Sequence, residues 1–467
     1  MTDEPKSDGP RSDGPQSGDP TSGESKDDAS RVAEARIEEP AATGVDLAEP
    51  DEPGVPETWG SRARRYGMAA VDALTTANAG TVTALAILLA LFVGAVIIVV
   101  SDQNVLSTFG YFFSRPADTF SAIGDAVGGA YSALFKGAII DFSTLGKATS
   151  GEVPWTRVFD PISETLTNAA PLILTGLAVT LAFRAGMFNI GGEGQAVLGA
   201  IAAGLVGFGI HLPPVLHLVV AVVAGAAGGA LYGFVPGWLK ARTGAHEVIT
   251  TIMLNYIAAK LLVWLVIQDG IQRPGRHDAI SKLVDNNAML PHLAGEILRV
   301  NFGIVLAVVA AWAVAWLLQR STLGFELRAV GSNPEAARTA GMSITKTYVL
   351  VMMISGGLAG LGGASVLLGP AQSLTPAVIG GVGFDGITVA LLGRGTPYGT
   401  LLAGLLFGGL RAGAVRMQVE AHIPVDMVTI LQAMIVIFIA APALVKAIFR
   451  LREQRVAGLG QALAKGW

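Results

Sequence analysis

Apolar runs recur along this chain at lengths that suit hydrocarbon, and they constrain its fold more than any other feature. An α-helix needs roughly 18–20 apolar residues to cross a bilayer. Full or shortened runs of this kind occur at about 81–100, 168–183, 196–210, 214–235, 248–267, 302–318, 348–368, 384–392, 399–410 and 427–444. Inside lipid every backbone N–H and C=O must find a partner within the protein, so these runs are expected to be helices. Composition agrees, with 51% apolar and 15% charged residues and a mean hydropathy of +0.54. The expected fold is an all-α integral membrane protein of about ten transmembrane helices, some short or broken. The eighth and ninth runs are the short ones, and one of them is expected to be a half-helix or re-entrant piece.

Charge gives the topology. Residues 1–60 hold 16 acidic and 5 basic residues, with Ser-Asp-Gly-Pro repeated at 7–10 and 12–15. Such a tail has no apolar face to bury and is expected to be a disordered cytoplasmic extension. No cleavable signal is expected, because the first apolar run starts far from Met1. Arg62, Arg64 and Arg65 before the first run, Arg184, Lys240 and Arg242 between runs, and Lys446, Arg450, Arg452 and Arg455 at the end all favour cytoplasmic termini. Arg411 and Arg416 fall outside in this scheme, against the trend. A permease domain over 61–451 and a cytoplasmic tail over 452–467 follow. Between the first two runs, 122–140 is Gly-rich and interrupted by Asp125 and Lys136. It is expected to be an extracytoplasmic amphipathic hairpin.

One polar interruption has a helical pattern of its own. Residues 320–346 carry Arg320, Arg328, Arg338 and Lys346, which mark them as cytoplasmic. Ser321 suits the N-cap of one short helix ending at Gly331. Asn333 suits the cap of a second, with Pro334 at its first position, Glu335 in its first turn and Gly341 at a left-handed stop. The pattern predicts a two-helix elbow on the inner face of the membrane.

Glu335-Ala336-Ala337 followed by Gly341 resembles the "EAA…G" loop of ABC importer permeases. The longer string Gly-Ser-Asn-Pro-Glu-Ala-Ala-Arg-Thr-Ala-Gly-Met is similar to the version in simple-sugar and nucleoside permeases of the branched-chain amino acid and ribose permease superfamily. The strings MFNIGGEGQ (187–195), HEVITTIMLNYI (246–257) and GFDGITVALLG (383–393) resemble signatures of the nucleoside branch, in family order. The resemblance covers about 70–451. It implies a permease subunit in a bacterial plasma membrane, paired with a second permease chain and a cytoplasmic ABC ATPase, and fed by an extracytoplasmic substrate-binding lipoprotein. Arg328, Asn333, Glu335, Ala336, Ala337, Arg338 and Gly341 would couple it to the ATPase. The loops at about 101–167 and 268–301 would be the docking face for the receptor. Nucleosides are the expected solute and simple sugars the alternative.

Polar residues near hydrocarbon cost several kcal/mol unless paired or facing a pathway. Asn189, Glu193 and Gln195 lie in a Gly-loosened break between runs. Glu247, Thr250 and Asn255 open the fifth run, and Asp385 opens the eighth. These are the candidate pathway residues, and interhelical hydrogen bonding is the competing role for each. Elsewhere the mid-span positions are almost wholly neutral, and His211, His217, His246 and His292 fall in loops or at boundaries. An ion-coupled carrier, the different-class alternative, usually needs buried charge. The only string near a phosphate loop, LGKATSG at 145–151, lacks the required upstream Gly and the Ser/Thr after Lys. The chain is therefore expected to bind no cofactor, with Mg-ATP used by the partner, and to be no enzyme itself. With no cysteine, thiolate catalysis and Cys-ligated metals are excluded. Membrane lipid is an expected partner; nucleic acid is not.

Overall fold

The computed structural model describes residues 79–295 and 297–451, and every named element among them is helical. The acidic 1–60 tail, Arg62, Arg64, Arg65 and the 452–467 tail lie outside the described residues. In order, the helices begin with α1 (Ala79–Ser101), α2 (Gln103–Phe109), α3 (Pro116–Ala138), α4 (Phe142–Thr149) and α5 (Asp160–Arg184). Next come α6 (Gly192–Gly209), α7 (Pro214–Thr243), α8 (Glu247–Val266) and α9 (Gly303–Arg320). The elbow forms α10 (Thr322–Ser332) and α11 (Pro334–Thr339). After it come α12 (Ile344–Val366), α13 (Val382–Leu392), α14 (Pro397–Ala421), α15 (Asp426–Ala440) and α16 (Pro442–Ile448).

Among the described residues seven helices are long and apolar enough to span a membrane, and the pair α15–α16, bent by 89°, makes eight. The 18-residue α6 and the 11-residue α13 complete the ten apolar segments. The half-helix expectation therefore falls on the eighth run, which is α13. The ninth is not short. It continues through Arg411 and Arg416 as the 25-residue α14, so these arginines lie within a span rather than outside it.

α5 lies at the centre, with 83% of its apolar window buried. α7 and α12 pack closely because glycines at four-residue spacing meet along one stripe. A Cβ on Gly229 would lie 2.2 Å from the Gly356 carbonyl oxygen, and one on Gly360 would lie 2.4 Å from that of Gly225. Only glycine fits there.

Two further expectations are corrected. Residues 122–140 do not form a hairpin: 122–138 belong to the single 23-residue helix α3, which ends at Ala138. Two of its polar groups and one of its glycines have long-range partners. The Tyr131 hydroxyl donates to the Leu91 carbonyl (2.5 Å), Lys136 faces Glu420 at 3.8 Å, and Gly137 lets the backbone meet Gly413 of α14. The 101–167 segment is accordingly helical over much of its length rather than a loop. His217 lies at a helix boundary, as expected, but is not exposed there. It is fully buried in the first turn of α7, with Nε2 3.0 Å from the Val206 carbonyl. His211, His246 and His292 are exposed, as a loop or helix-end position implies.

Candidate functional site

The break between α5 and α6 is pinned by side chains from three helices. Asn189 spends both amide hydrogens on Gln195 Oε1 (2.8 Å) and Ser355 Oγ (2.7 Å). Its Oδ1 accepts from Gly191 N and Gln195 Nε2 (3.0 and 3.2 Å). Ser355 Oγ donates in turn to the Ala178 carbonyl at 2.6 Å. From α8, Asn255 Oδ1 accepts from Gly194 N and its Nδ2 donates to the Ile190 carbonyl (both 2.9 Å). Asn189, Gln195 and Asn255 are buried. Buried amides with every group matched rigidify the backbone that they hold. The structure therefore uses these three residues inward, to fix the turn against α5, α8 and α12.

Glu193 does something different. It lies in the first turn of α6, and its two carboxylate oxygens accept from Gly381 N (3.0 Å) and Gly383 N (2.8 Å). Those N–H groups belong to the start of α13, whose N-cap Gly381 has φ +80°. One carboxylate thus serves two broken helices whose positive ends converge, an arrangement that offsets its burial. The backbones nearly touch: a Cβ on Gly383 would lie 2.1 Å from Glu193 N.

Asp385, in the first turn of α13, pairs with Arg411 Nη2 of α14 at 2.5 Å, with both side chains 28% exposed. The expectation of an almost neutral mid-span is thereby corrected. Arg411 is the residue that sequence reasoning put elsewhere, and Asp385 is its partner 26 positions earlier. Of the other two candidates, Glu247 reaches the Phe188 backbone at the start of the pinned turn, whereas Thr250 does not reach it. Glu247 is buried against Lys240 (2.5 Å), closing the α7–α8 turn. Thr250 spends its hydroxyl on the His246 and Glu247 carbonyls of its own helix.

The elbow has the predicted caps. Ser321 Oγ accepts from Gly324 N at 2.9 Å, Asn333 Oδ1 from Ala336 N at 3.0 Å, and Gly341 stops α11 with φ +84°. Asn333, Glu335, Ala336, Arg338 and Gly341 are exposed, Arg328 is half-buried and Ala337 faces inward. Glu335 pairs loosely with Arg338 (3.3 Å). At the other end Leu327 and Val330 are fully buried. Gly331 abuts the backbone of Ala185 and Gly186, with atoms 2.7–2.8 Å from an added Cβ. The elbow therefore bears on the strand of chain that leads directly into the pinned turn.

Arg416, five residues beyond Arg411, closes a second pair, with Asp141 (2.5 Å) and Glu420 (2.6 Å). Asp141 lies between α3 and α4. Burial pushes its carboxyl up, but hydrogen bonds from Ser143, Thr144 and Arg416 outweigh it and hold it well below the usual carboxylate range.

Comparison with known proteins agrees with this architecture. Residues 162–440 match the family described as branched-chain amino acid transport system / permease component. A guanosine ABC transporter permease of Bacillus subtilis is 42% identical over 317 residues, covering 66% of this chain and 90% of that protein. A nucleoside ABC transporter permease of Lactococcus lactis is 38% identical over 296 residues, covering 61% and 80% respectively. A glucose ABC transporter permease of Haloferax volcanii is 37% identical over 287 residues, covering 60% and 75%. No solved structure matches the chain significantly.

Proposed function

Because this chain belongs to the branched-chain amino acid transport system permease family, we propose that it is the membrane-spanning subunit of an ATP-driven importer for nucleosides. The observation that carries the reading is the elbow. Two capped short helices are presented on the surface by an otherwise lipid-facing body, with Glu335, Ala336 and Arg338 exposed. Nothing in the fold of the chain itself requires that exposure, whereas a docking ATPase does. The elbow's mechanical contact with the pinned turn gives such a motor a route into the membrane interior. Arg184, Lys240, Arg242, Arg320, Arg328, Arg338 and Lys346 lie at the elbow-side ends of their helices or in the elbow itself. That bias favours the cytoplasm for this face.

In this assignment ATP is hydrolysed by a partner subunit. A second permease chain completes the conduit, and an extracytoplasmic lipoprotein delivers the solute to the face formed by α2–α4 and the 268–301 segment. The preference for nucleosides rests on the 187–195 and 246–257 motifs, which build the pinned turn and its α8 support. It is supported by the names of the guanosine and nucleoside permeases above.

The test is reconstitution of the chain with its neighbouring permease, ATPase and receptor lipoprotein in liposomes. Labelled nucleoside should accumulate only with ATP and receptor present, and a protonophore should change little. Import of ribose or galactose in preference to any nucleoside would move the substrate to simple sugars. Uptake by this chain alone, driven by an ion gradient and indifferent to ATP, would overturn the reading.

A further inference from the structure

Arg411 lies 14 residues beyond Pro397 in α14, about 21 Å along the helix at 1.5 Å per residue. Its partner Asp385 opens α13, whose 11 residues extend about 16 Å back towards the elbow side. Both positions fall near the middle of a hydrocarbon layer about 30 Å thick. Yet the pair is partly open, with 28% of each side chain exposed. The second arginine pair of the same helix is built differently. There Asp141 is 4% exposed and further matched by the hydroxyls of Ser143 and Thr144. At the mid-membrane pair the one hydrogen bond joins Arg411 Nη2 to Asp385 Oδ2. Among the described residues Asp385 Oδ1 and the remaining guanidinium N–H groups meet no protein partner. An open, half-matched ion pair facing lipid is costly, so such groups face water or a ligand.

We propose that Asp385 and Arg411 are the charge-balanced contact at which the conduit touches its solute. They take a neutral molecule that offers a hydrogen-bond donor beside an acceptor, as a nucleobase edge does, and turn away phosphorylated forms. Arg411 has free donors for a ring nitrogen or carbonyl, and Asp385 has a free acceptor for an adjacent N–H. Together they add no net charge, so a neutral solute leaves no uncompensated ion behind. An anion meets two carboxylates, since Glu193 lies within electrostatic reach of both partners. This assignment rests on the nucleoside reading for the identity of the ligand, but not for the position of the site.

The chain contains no cysteine, so single cysteines can report access without background. Phe384, beside Asp385, is 47% exposed, and Val415, one turn beyond Arg411, is 61% exposed. In the reconstituted complex, Phe384→Cys and Val415→Cys should react with membrane-impermeant methanethiosulfonates. Nucleoside should slow the reaction at position 384 about threefold or more. Asp385→Asn should raise the rate of an anionic reagent relative to a cationic one about tenfold, and Arg411→Leu should do the reverse. Arg411→Lys keeps the charge and loses the planar fork. It should therefore leave the reagent ratio unchanged while nucleoside uptake falls about tenfold, an outcome that a purely structural role does not produce. Labelling confined to lipid-soluble maleimides, or a reagent ratio indifferent to both charge-removing changes, would overturn the site whatever the solute. Protection by ribose and by no nucleoside would overturn the nucleoside reading, and with it the nucleobase chemistry assigned here.

Discussion

Two adjacent glycines of α12 give opposite expectations, and the difference can be worked from the structure. A Cβ on Gly356 would lie 2.3 Å from the Gly229 carbonyl oxygen of α7, whereas one on Gly357 would have its nearest neighbour at 3.5 Å. The first distance is about 1 Å too short, and the obstacle is backbone, so α7 and α12 must separate. Overpacking of this kind costs about 1–3 kcal/mol, and a gap of about 1 Å forfeits up to half of the dispersion attraction along the stripe. Against that, alanine gains about 1 kcal/mol over glycine in a helix. Gly356→Ala should therefore lose about 1–2 kcal/mol net, while Gly357→Ala keeps the propensity gain without the clash. The two variants should differ by about 2–3 kcal/mol. At about 2 °C per kcal/mol for a chain of this size, the melting midpoints should lie about 4–6 °C apart. Tryptophan fluorescence of the detergent-solubilised protein during a thermal ramp reads the order directly. Equal midpoints, or a lower one for Gly357→Ala, would refute the argument that backbone contact decides this interface. Gly356 also follows Ser355, which holds Asn189, so Gly356→Ala should lower uptake beyond its effect on yield.

Glu193→Ala removes both acceptors for Gly381 N and Gly383 N. It should cut transport at least about tenfold at equal protein level, with Glu193→Gln intermediate because the amide keeps one acceptor; wild-type uptake in both would show that α13 holds its place without the carboxylate. Gly341→Val forces a β-branched residue to φ +84° and should weaken co-purification with the ATPase. Glu335→Lys breaks only a loose exposed pair, so it should leave thermal stability unchanged and lower substrate-stimulated ATP hydrolysis; unaltered coupling in both would make the elbow a mere linker. Asp141→Asn removes a buried charge partner of Arg416 and should lower stability by about 2–3 kcal/mol. The Asp141 carboxyl is held low in the folded state, so its contribution is complete above the unfolded value of about 3.9 and vanishes only as pH falls further. The wild-type-to-variant gap in melting midpoint should accordingly be the same at pH 7 and pH 5, and a gap that closes at pH 5 would contradict the assignment.

What the sequence determined by itself is local. Apolar runs specify spans because each helix satisfies its own backbone, and lipid needs only an apolar surface. The caps of the elbow were legible: they act within three or four positions, and Ser321, Asn333 and Gly341 each do what their type and spacing imply, although the first helix runs one residue past Gly331. The four-residue spacing of Gly225, Gly229 and Gly233, and of Gly356 and Gly360, is visible in the sequence, but that these two stripes meet each other is not. The tertiary structure alone decided where the charges go. Asp125, Lys136, Arg411 and Arg416 made 122–140 look like a hairpin outside the membrane and ended the ninth span too early. An isolated charge is expensive in lipid, and no local pattern shows that Arg416 will meet Asp141 275 positions away. The same holds for Glu193. Its carboxylate is stabilised by backbone N–H groups almost 190 residues downstream, donors that exist because α13 starts inside the membrane. Such a partner has no side-chain signature in the sequence, and only the meeting of two broken helices supplies it.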